Sequence, residues 1–263
     1  MNKRRIIIGN WKMYVGSIDE AKKLASSLRK KVPTFAGVDA WLTPSFPHIP
    51  AVSAAIGVSQ NKKQQGSVLK VGAQTVFSQS EGAHTGEVSA KMLKGLGASF
   101  VLVGHSERRA LGESDETIRA QLMQATSAGL VAVLCVGEAQ REPDGSHFAQ
   151  IANQLNRALV GADIKAGRLI VAYEPVWAIG KSAADAMQGE DLEEMAIFIR
   201  KILTETLGRE AVAKVPILYG GSVEASIAQA LIKEGGVQGL LVGRASADID
   251  SFISILKAVR PGK

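Results

Sequence analysis

Eight short apolar runs, each followed by a longer segment of helical period, recur along this chain, and that alternation restricts it to very few architectures. The runs lie at 5–9, 40–43, 69–74, 100–104, 131–136, 169–173, 215–219 and 239–242. They have the length and β-branched content of buried strands. Between them, residues 17–31 place Ile18, Ala21, Leu24, Ala25 and Leu28 on one face of a helix. Residues 115–128, 147–159, 190–207, 223–233 and 249–259 read the same way, and 47–56 and 88–96 are shorter helical segments. Ser17-Ile18-Asp19-Glu20 has the form of a capping box, and Gly129 and Gly208 stand where helix C-caps belong.

Strands separated by helices form a parallel sheet, either closed into a barrel or opened and doubly wound. No Gly-rich dinucleotide fingerprint follows the first strand, where an open nucleotide-binding sheet carries one. The expectation is therefore an α/β chain forming a single (β/α)8 barrel domain over residues 1–263, a length that one barrel fills.

Composition removes several function classes. With 46% hydrophobic and 21% charged residues the chain resembles ordinary globular proteins. It has no run of 18 apolar residues, and Ile6-Ile7-Ile8 is too short for a signal-peptide core, so neither a membrane span nor a signal peptide is expected. The single cysteine, Cys135, cannot form an internal disulfide and has no metal-site spacing around it. We expect it to be buried and inert, no metal to be bound, and the setting to be cytoplasmic. The net charge of +6 comes from scattered residues, the densest runs being Arg29-Lys30-Lys31 and Lys62-Lys63. Aromatics are not interleaved with them, which argues against nucleic acid and leaves mild steering of an anionic substrate.

In a barrel of this kind, reactive groups follow the C-terminal ends of the strands. Those points carry Asn10 and Lys12, His105-Ser106-Glu107, Glu174, Gly220-Gly221-Ser222 and Gly243-Arg244. The residue types suit removal of a proton next to a carbonyl and its return to the neighbouring carbon. A carboxylate takes the proton, while donors or a cation hold the negative charge developing on oxygen. The glycines after the last two strands offer backbone N–H groups to a phosphate. Singly, each residue also fits an ordinary structural place, and Arg108-Arg109 fit ion pairs better than a substrate. Gly180-Lys181-Ser182 has the ending of a phosphate-binding P-loop, but Pro175 occupies the place of its first glycine. Spacing alone leaves a barrel enzyme for a phosphorylated ligand.

The same residues lie in longer strings: Gly9-Asn10-Trp11-Lys12-Met13, Gly72-Ala73-Gln74, Thr85-Gly86-Glu87, Gly104-His105-Ser106-Glu107-Arg108-Arg109, Cys135-Val136-Gly137-Glu138, Tyr173-Glu174-Pro175-Val176-Trp177-Ala178-Ile179-Gly180, Tyr219-Gly220-Gly221-Ser222-Val223 and Leu241-Val242-Gly243. In order and over nearly the whole chain, these strings resemble the triosephosphate isomerase family. The resemblance implies a TIM barrel that interconverts two triose phosphates without a cofactor, in glycolysis and gluconeogenesis. It implies Glu174 as base, His105 as neutral electrophile, Lys12 as the cation holding substrate and enediolate, and Glu107 as support. Asn10, Lys12, Gly180, Ser222, Gly243 and Arg244 are the substrate-binding positions. Pro175, Val176, Trp177, Ala178, Ile179, Gly180, Lys181, Ser182, Ala183 and Ala184 form a lid that shuts out water. Thr85, in the stretch 82–89, is the implied contact of a homodimer.

The chain also departs from the family's pattern. Lys181-Ser182-Ala183-Ala184 stands in place of the usual Thr-Gly-Lys hinge, Arg244 where a second glycine is commonest, Thr75 where asparagine is usual, and Tyr14 likewise. Two rivals remain at this point. One is a sister isomerase acting on a four-carbon ketose phosphate, erythrulose phosphate. The other is a non-catalytic binding barrel, against which the joint presence of Lys12, His105 and Glu174 argues.

Overall fold

The structure is a computed structural model that describes residues 4–57, 69–181 and 187–261. The basic Lys62-Lys63 run lies outside the described residues. In chain order the elements are β1 (Arg5–Asn10), α1 (Ile18–Lys31), β2 (Val38–Thr43), α2 (Ile49–Ile56), β3 (Leu69–Ala73), α3 (Ala90–Gly95), β4 (Phe100–Val103), α4 (Ser106–Ala110), α5 (Asp115–Ser127), β5 (Val131–Val136), α6 (Ser146–Leu159), β6 (Leu169–Tyr173), α7 (Gly189–Leu207), α8 (Arg209–Val212), β7 (Ile217–Tyr219), α9 (Ala228–Glu234), β8 (Gly239–Val242) and α10 (Ile249–Ala258).

The eight strands pair in sequence order, all parallel, and β8 closes on β1 with Ile6 opposite Gly239 and Gly9 opposite Val242. Closure leaves no open sheet edge. Successive side chains on each strand point to opposite faces, and this divides the apolar residues into two clusters. Ile8, Phe100, Leu102, Val133, Cys135, Ile170, Ala172, Leu218 and Leu241 fill the barrel interior. Their neighbours, such as Ile7, Val101, Val103, Leu134 and Val171, pack outward against helix residues including Leu24, Leu28, Leu122, Leu155, Ile199 and Phe252. Full burial of such side chains stabilises the fold by about 1.5–3 kcal/mol each.

Local signals in the sequence set several element ends. The Ser17 hydroxyl accepts the Glu20 N–H at 3.2 Å, whereas the Glu20 carboxylate reaches back to the N–H of Gly16, one residue earlier than a capping box requires. Gly129 takes a left-handed φ of 76° just beyond α5, where a side chain would be strained. Ser89, Ser114 and Asp248 cap α3, α5 and α10 through their side chains.

Several boundaries differ from the sequence reading: the second strand starts at Val38 rather than 40, other ends shift by one or two residues, and two differences have a clear backbone cause. The seventh strand starts at Ile217 rather than 215, because Pro216 has no N–H to give the ladder and the Val215 N–H turns back to Val212. The helix expected at 223–233 begins at Ala228, after a turn in which the Glu224 carbonyl accepts the N–H groups of Ile227 and Ala228. The short helices α4 and α8 are additional; neither is long enough to show a period.

Candidate active site

The alternation that fills the barrel also selects what lines its mouth. Continuing the inward series Ile8, Ile170, Leu218 and Leu241 by two residues gives Asn10, Ala172 and then Glu174, Gly220 and Gly243. The polar side chains above β6 and β1 thus flank the two glycines above β7 and β8, and together they line a cavity of about 740 Å³. A Cβ at Gly220 would stand 2.8 Å from Cγ of Glu174, so a larger residue there would displace the carboxylate.

Glu174 is 2% exposed. Its N–H donates to the Val136 carbonyl at 2.8 Å, extending the β5 to β6 ladder by one residue and fixing where the side chain leaves the barrel. Oε2 accepts the backbone N–H of Ser106 at 3.1 Å, and Oε1 lies 3.2 Å from Nε2 of His105. Gly104, at φ 71°, turns the chain out of β4 so that His105 caps α4. Nδ1 of His105 accepts the N–H of Glu107 at 3.1 Å. An accepting Nδ1 carries no proton, so the neutral ring holds its proton on Nε2, directed at Glu174.

Lys12 is the only described non-glycine residue at positive φ, 48°, a costly conformation that clusters at functional sites. Its backbone is pinned twice: its N–H donates to Asn10 Oδ1 at 3.1 Å, and its carbonyl accepts from Gln74 Nε2 at 2.9 Å. The ammonium pairs with Glu107 Oε1 at 2.6 Å, and a Cβ on Gly243 would stand 3.8 Å from Nζ. Lys12 therefore sits between the fourth-strand and eighth-strand sides of the mouth. Asn10, Gly180, Ser222, Gly243 and Arg244 line the same cavity.

Of the lid positions, Val176, Trp177 and Ala178 form a 3-10 turn and Gly180 has φ 75°, while Ser182, Ala183 and Ala184 lie outside the described residues. Thr85 is exposed on a loop braced by His84, whose Nε2 lies 3.0 Å from Gln79 Oε1. Arg108 and Arg109 make structural pairs with Glu113 and Asp115, each at 2.7 Å. Cys135 is buried beneath Glu174. Burial first, and then the Glu174 charge, pushes its thiol well above the ordinary range, consistent with an inert residue.

Sequence reasoning assigns no role to Glu138, although it ends one of the conspicuous strings. It is fully buried, and its Oε1 accepts both the Tyr173 hydroxyl at 2.8 Å and the Trp177 indole N–H at 2.7 Å. The carboxylate thereby ties the start of the lid to the end of β6. Gln74 likewise has no role in the sequence reading, yet its amide joins the carbonyls of Lys12 and Thr43 and so holds the Lys12 loop to β2. The available signal in both cases is a polar residue within two positions of the end of an apolar strand.

Known proteins resemble this chain over nearly its whole length. Residues 5–259 match the triosephosphate isomerase family. The triosephosphate isomerase of Marinobacter nauticus is 42% identical over 99% of both chains, and that of Carboxydothermus hydrogenoformans is 39% identical over 97% of this chain and 98% of its own. The crystal structure of the Bartonella henselae triosephosphate isomerase superposes with a TM-score of 0.83 at 32% identity, covering 98% of this chain and all of that one. This chain belongs to the triosephosphate isomerase family and is an aldose–ketose isomerase.

Proposed function

We propose that the enzyme interconverts dihydroxyacetone phosphate and D-glyceraldehyde 3-phosphate through an enediolate, with Glu174 as the base and His105 as the electrophile. The observation that carries this assignment is the 3.2 Å approach of the Glu174 carboxylate to Nε2 of His105 at the floor of the cavity. Glu174 removes the carbon-bound proton next to the substrate carbonyl. The Nε2–H of His105 hydrogen-bonds to the carbonyl oxygen and moves a proton between the two oxygens, the role of a neutral imidazole established for this family. The Lys12 ammonium balances the enediolate charge, and Glu174 returns its proton to the neighbouring carbon. Backbone around Gly180, Ser222 and Gly243 receives the phosphate, Asn10 holds the Lys12 loop, and Glu107 positions the ammonium.

Both Glu174 oxygens are engaged in this state, by Ser106 N–H and by His105. To reach a substrate carbon the carboxylate must leave Ser106. Glu174 directly precedes the lid, so closure of the lid and this swing belong to one motion, with Glu138 holding Trp177 in the resting arrangement. Closure shuts out water while the enediolate phosphate exists, preventing loss of phosphate.

The chain is further proposed to act as one barrel domain, in the cytoplasm, and as a homodimer that uses Thr85. No described helix is long and apolar enough to cross a membrane. Steady-state turnover of glyceraldehyde 3-phosphate beside erythrulose phosphate, with one preparation, tests the substrate assignment. The triose phosphate should be converted with the higher kcat/KM, and the reverse order would overturn it.

A further inference from the structure

Tyr14 and Arg244 stand 230 positions apart in the sequence. The barrel brings them together. Tyr14 follows the Lys12 loop above β1, Arg244 follows β8, and the β8 to β1 closure makes these loops neighbours. The Arg244 guanidinium carbon lies 5.7 Å from the centre of the Tyr14 ring, within the range of a cation–π contact. Both side chains line the cavity that holds Lys12, Gly243 and Ser222. Asp248 lines it as well, but its carboxylate accepts the Ser251 N–H at 2.8 Å as the cap of α10. Among the described residues no carboxylate forms an ion pair with Arg244, which leaves the guanidinium open to an anion from outside the chain.

We propose that Arg244, laid against Tyr14, is a second phosphate-directed cation of this site, and that the pair sets its preference for phosphorylated over uncharged substrates. A guanidinium presents a planar fork of donors matched to phosphate oxygens, and stacking on an aromatic face limits the orientations it must give up on binding. The position suits the role. Arg244 is the residue after Gly243, at the end of the cavity assigned to phosphate. Tyr14 supplies a platform rather than a contact to the substrate.

The inference rests on the phosphate placement under the proposed function, and the test separates the two. The ratio of kcat/KM for glyceraldehyde 3-phosphate to that for D-glyceraldehyde is measured, together with inhibition by inorganic phosphate. In Arg244→Gln and Arg244→Gly the ratio should fall about tenfold and the inhibition constant for phosphate rise about tenfold, the lower end for a charge-assisted contact because the rim is exposed. Arg244→Lys should recover part of the loss. Tyr14→Leu should lose part of the ratio and nothing more when combined with Arg244→Gln. An unchanged ratio and unchanged phosphate inhibition in both Arg244 variants would overturn the proposal, as would equal losses on both substrates, which would mark Arg244 as structural. A parent enzyme showing no preference for the phosphorylated substrate would instead overturn the phosphate placement itself, and this inference with it.

Discussion

Nε2 of His105 lies 3.2 Å from Oε1 of Glu174, and the orientation of the ring is fixed from the other side by the Glu107 N–H on Nδ1. One imidazole is thus held as a donor beside Glu174, where the proposed reaction develops the negative charge of an enediolate. His105→Gln keeps a side chain that can donate but cannot pass a proton between two oxygens. We expect kcat to fall by about 100- to 10,000-fold with a much smaller change in KM, as for removal of an acid-base or oxyanion group. Stopped-time assays of both directions check this, and a KM effect larger than the kcat effect would place His105 in ground-state binding instead.

Lys12→Ala should fold normally, because the side chain ends at the cavity and, among the described residues, pairs only with the exposed Glu107. It should raise KM and lower kcat together, since in the proposed reaction the ammonium faces both the substrate and its enediolate. Circular dichroism combined with steady-state kinetics separates the outcomes. An unfolded variant would make Lys12 a structural residue.

The barrel is legible in the sequence because its signals are strong and local. Runs such as Val131-Ala132-Val133-Leu134-Cys135-Val136 and Leu169-Ile170-Val171-Ala172-Tyr173 have the length and content of buried strands, and they end where the structure ends them. Boundaries slip where a single backbone group decides, as at Pro216 and at the Glu224 turn. At the site, the residues named from strand ends meet around one cavity, because closure brings all strand ends to one rim. Contacts between distant loops are not legible. Nothing in the sequence places Trp177 on Glu138, Gln74 on the Lys12 carbonyl or Arg244 over Tyr14, since each depends on which loops the closed sheet makes adjacent.

Alkaline pH should destabilise the fold through three buried acids. Burial is the largest cause in each case, pushing Cys135 and Tyr173 well above their ordinary ranges and Tyr219 up to about 12. A folded-state value raised above the unfolded one gives stability that is complete below the unfolded value and is lost as pH rises towards the folded one. The loss should begin near the ordinary thiol value of 9.0 and deepen past the ordinary phenol value of 10.0. Urea midpoints measured from about pH 7 to 11 should fall over the upper half of that range. A midpoint rising above pH 10.0 would contradict the burial of these groups in the folded state.

The exposed loop carrying Thr85 should be covered in solution by a second copy of the chain. Sedimentation equilibrium at micromolar concentration should give about twice the 27.8 kDa of one chain. Thr85→Arg, which adds bulk and charge at the contact, should shift the population towards monomer. A parent protein sedimenting only as a 27.8 kDa species would refute the dimer.

The central claim is that Glu174 is the base, and the most direct measurement is exchange of solvent deuterium into the substrate carbon by Glu174→Gln. The substitution preserves side-chain volume and leaves an oxygen to accept the Ser106 N–H, so phosphate-bearing inhibitors should bind nearly as well as to the parent. Glu107, another carboxylate lining the site, is held by Lys12 at 2.6 Å and is not free to substitute. Isomerisation and deuterium incorporation should fall together, by at least about 100- to 10,000-fold, and the loss should fall on kcat rather than affinity. If Glu174→Gln still incorporates deuterium at near the parent rate, another residue abstracts the proton and Glu174 is not the base.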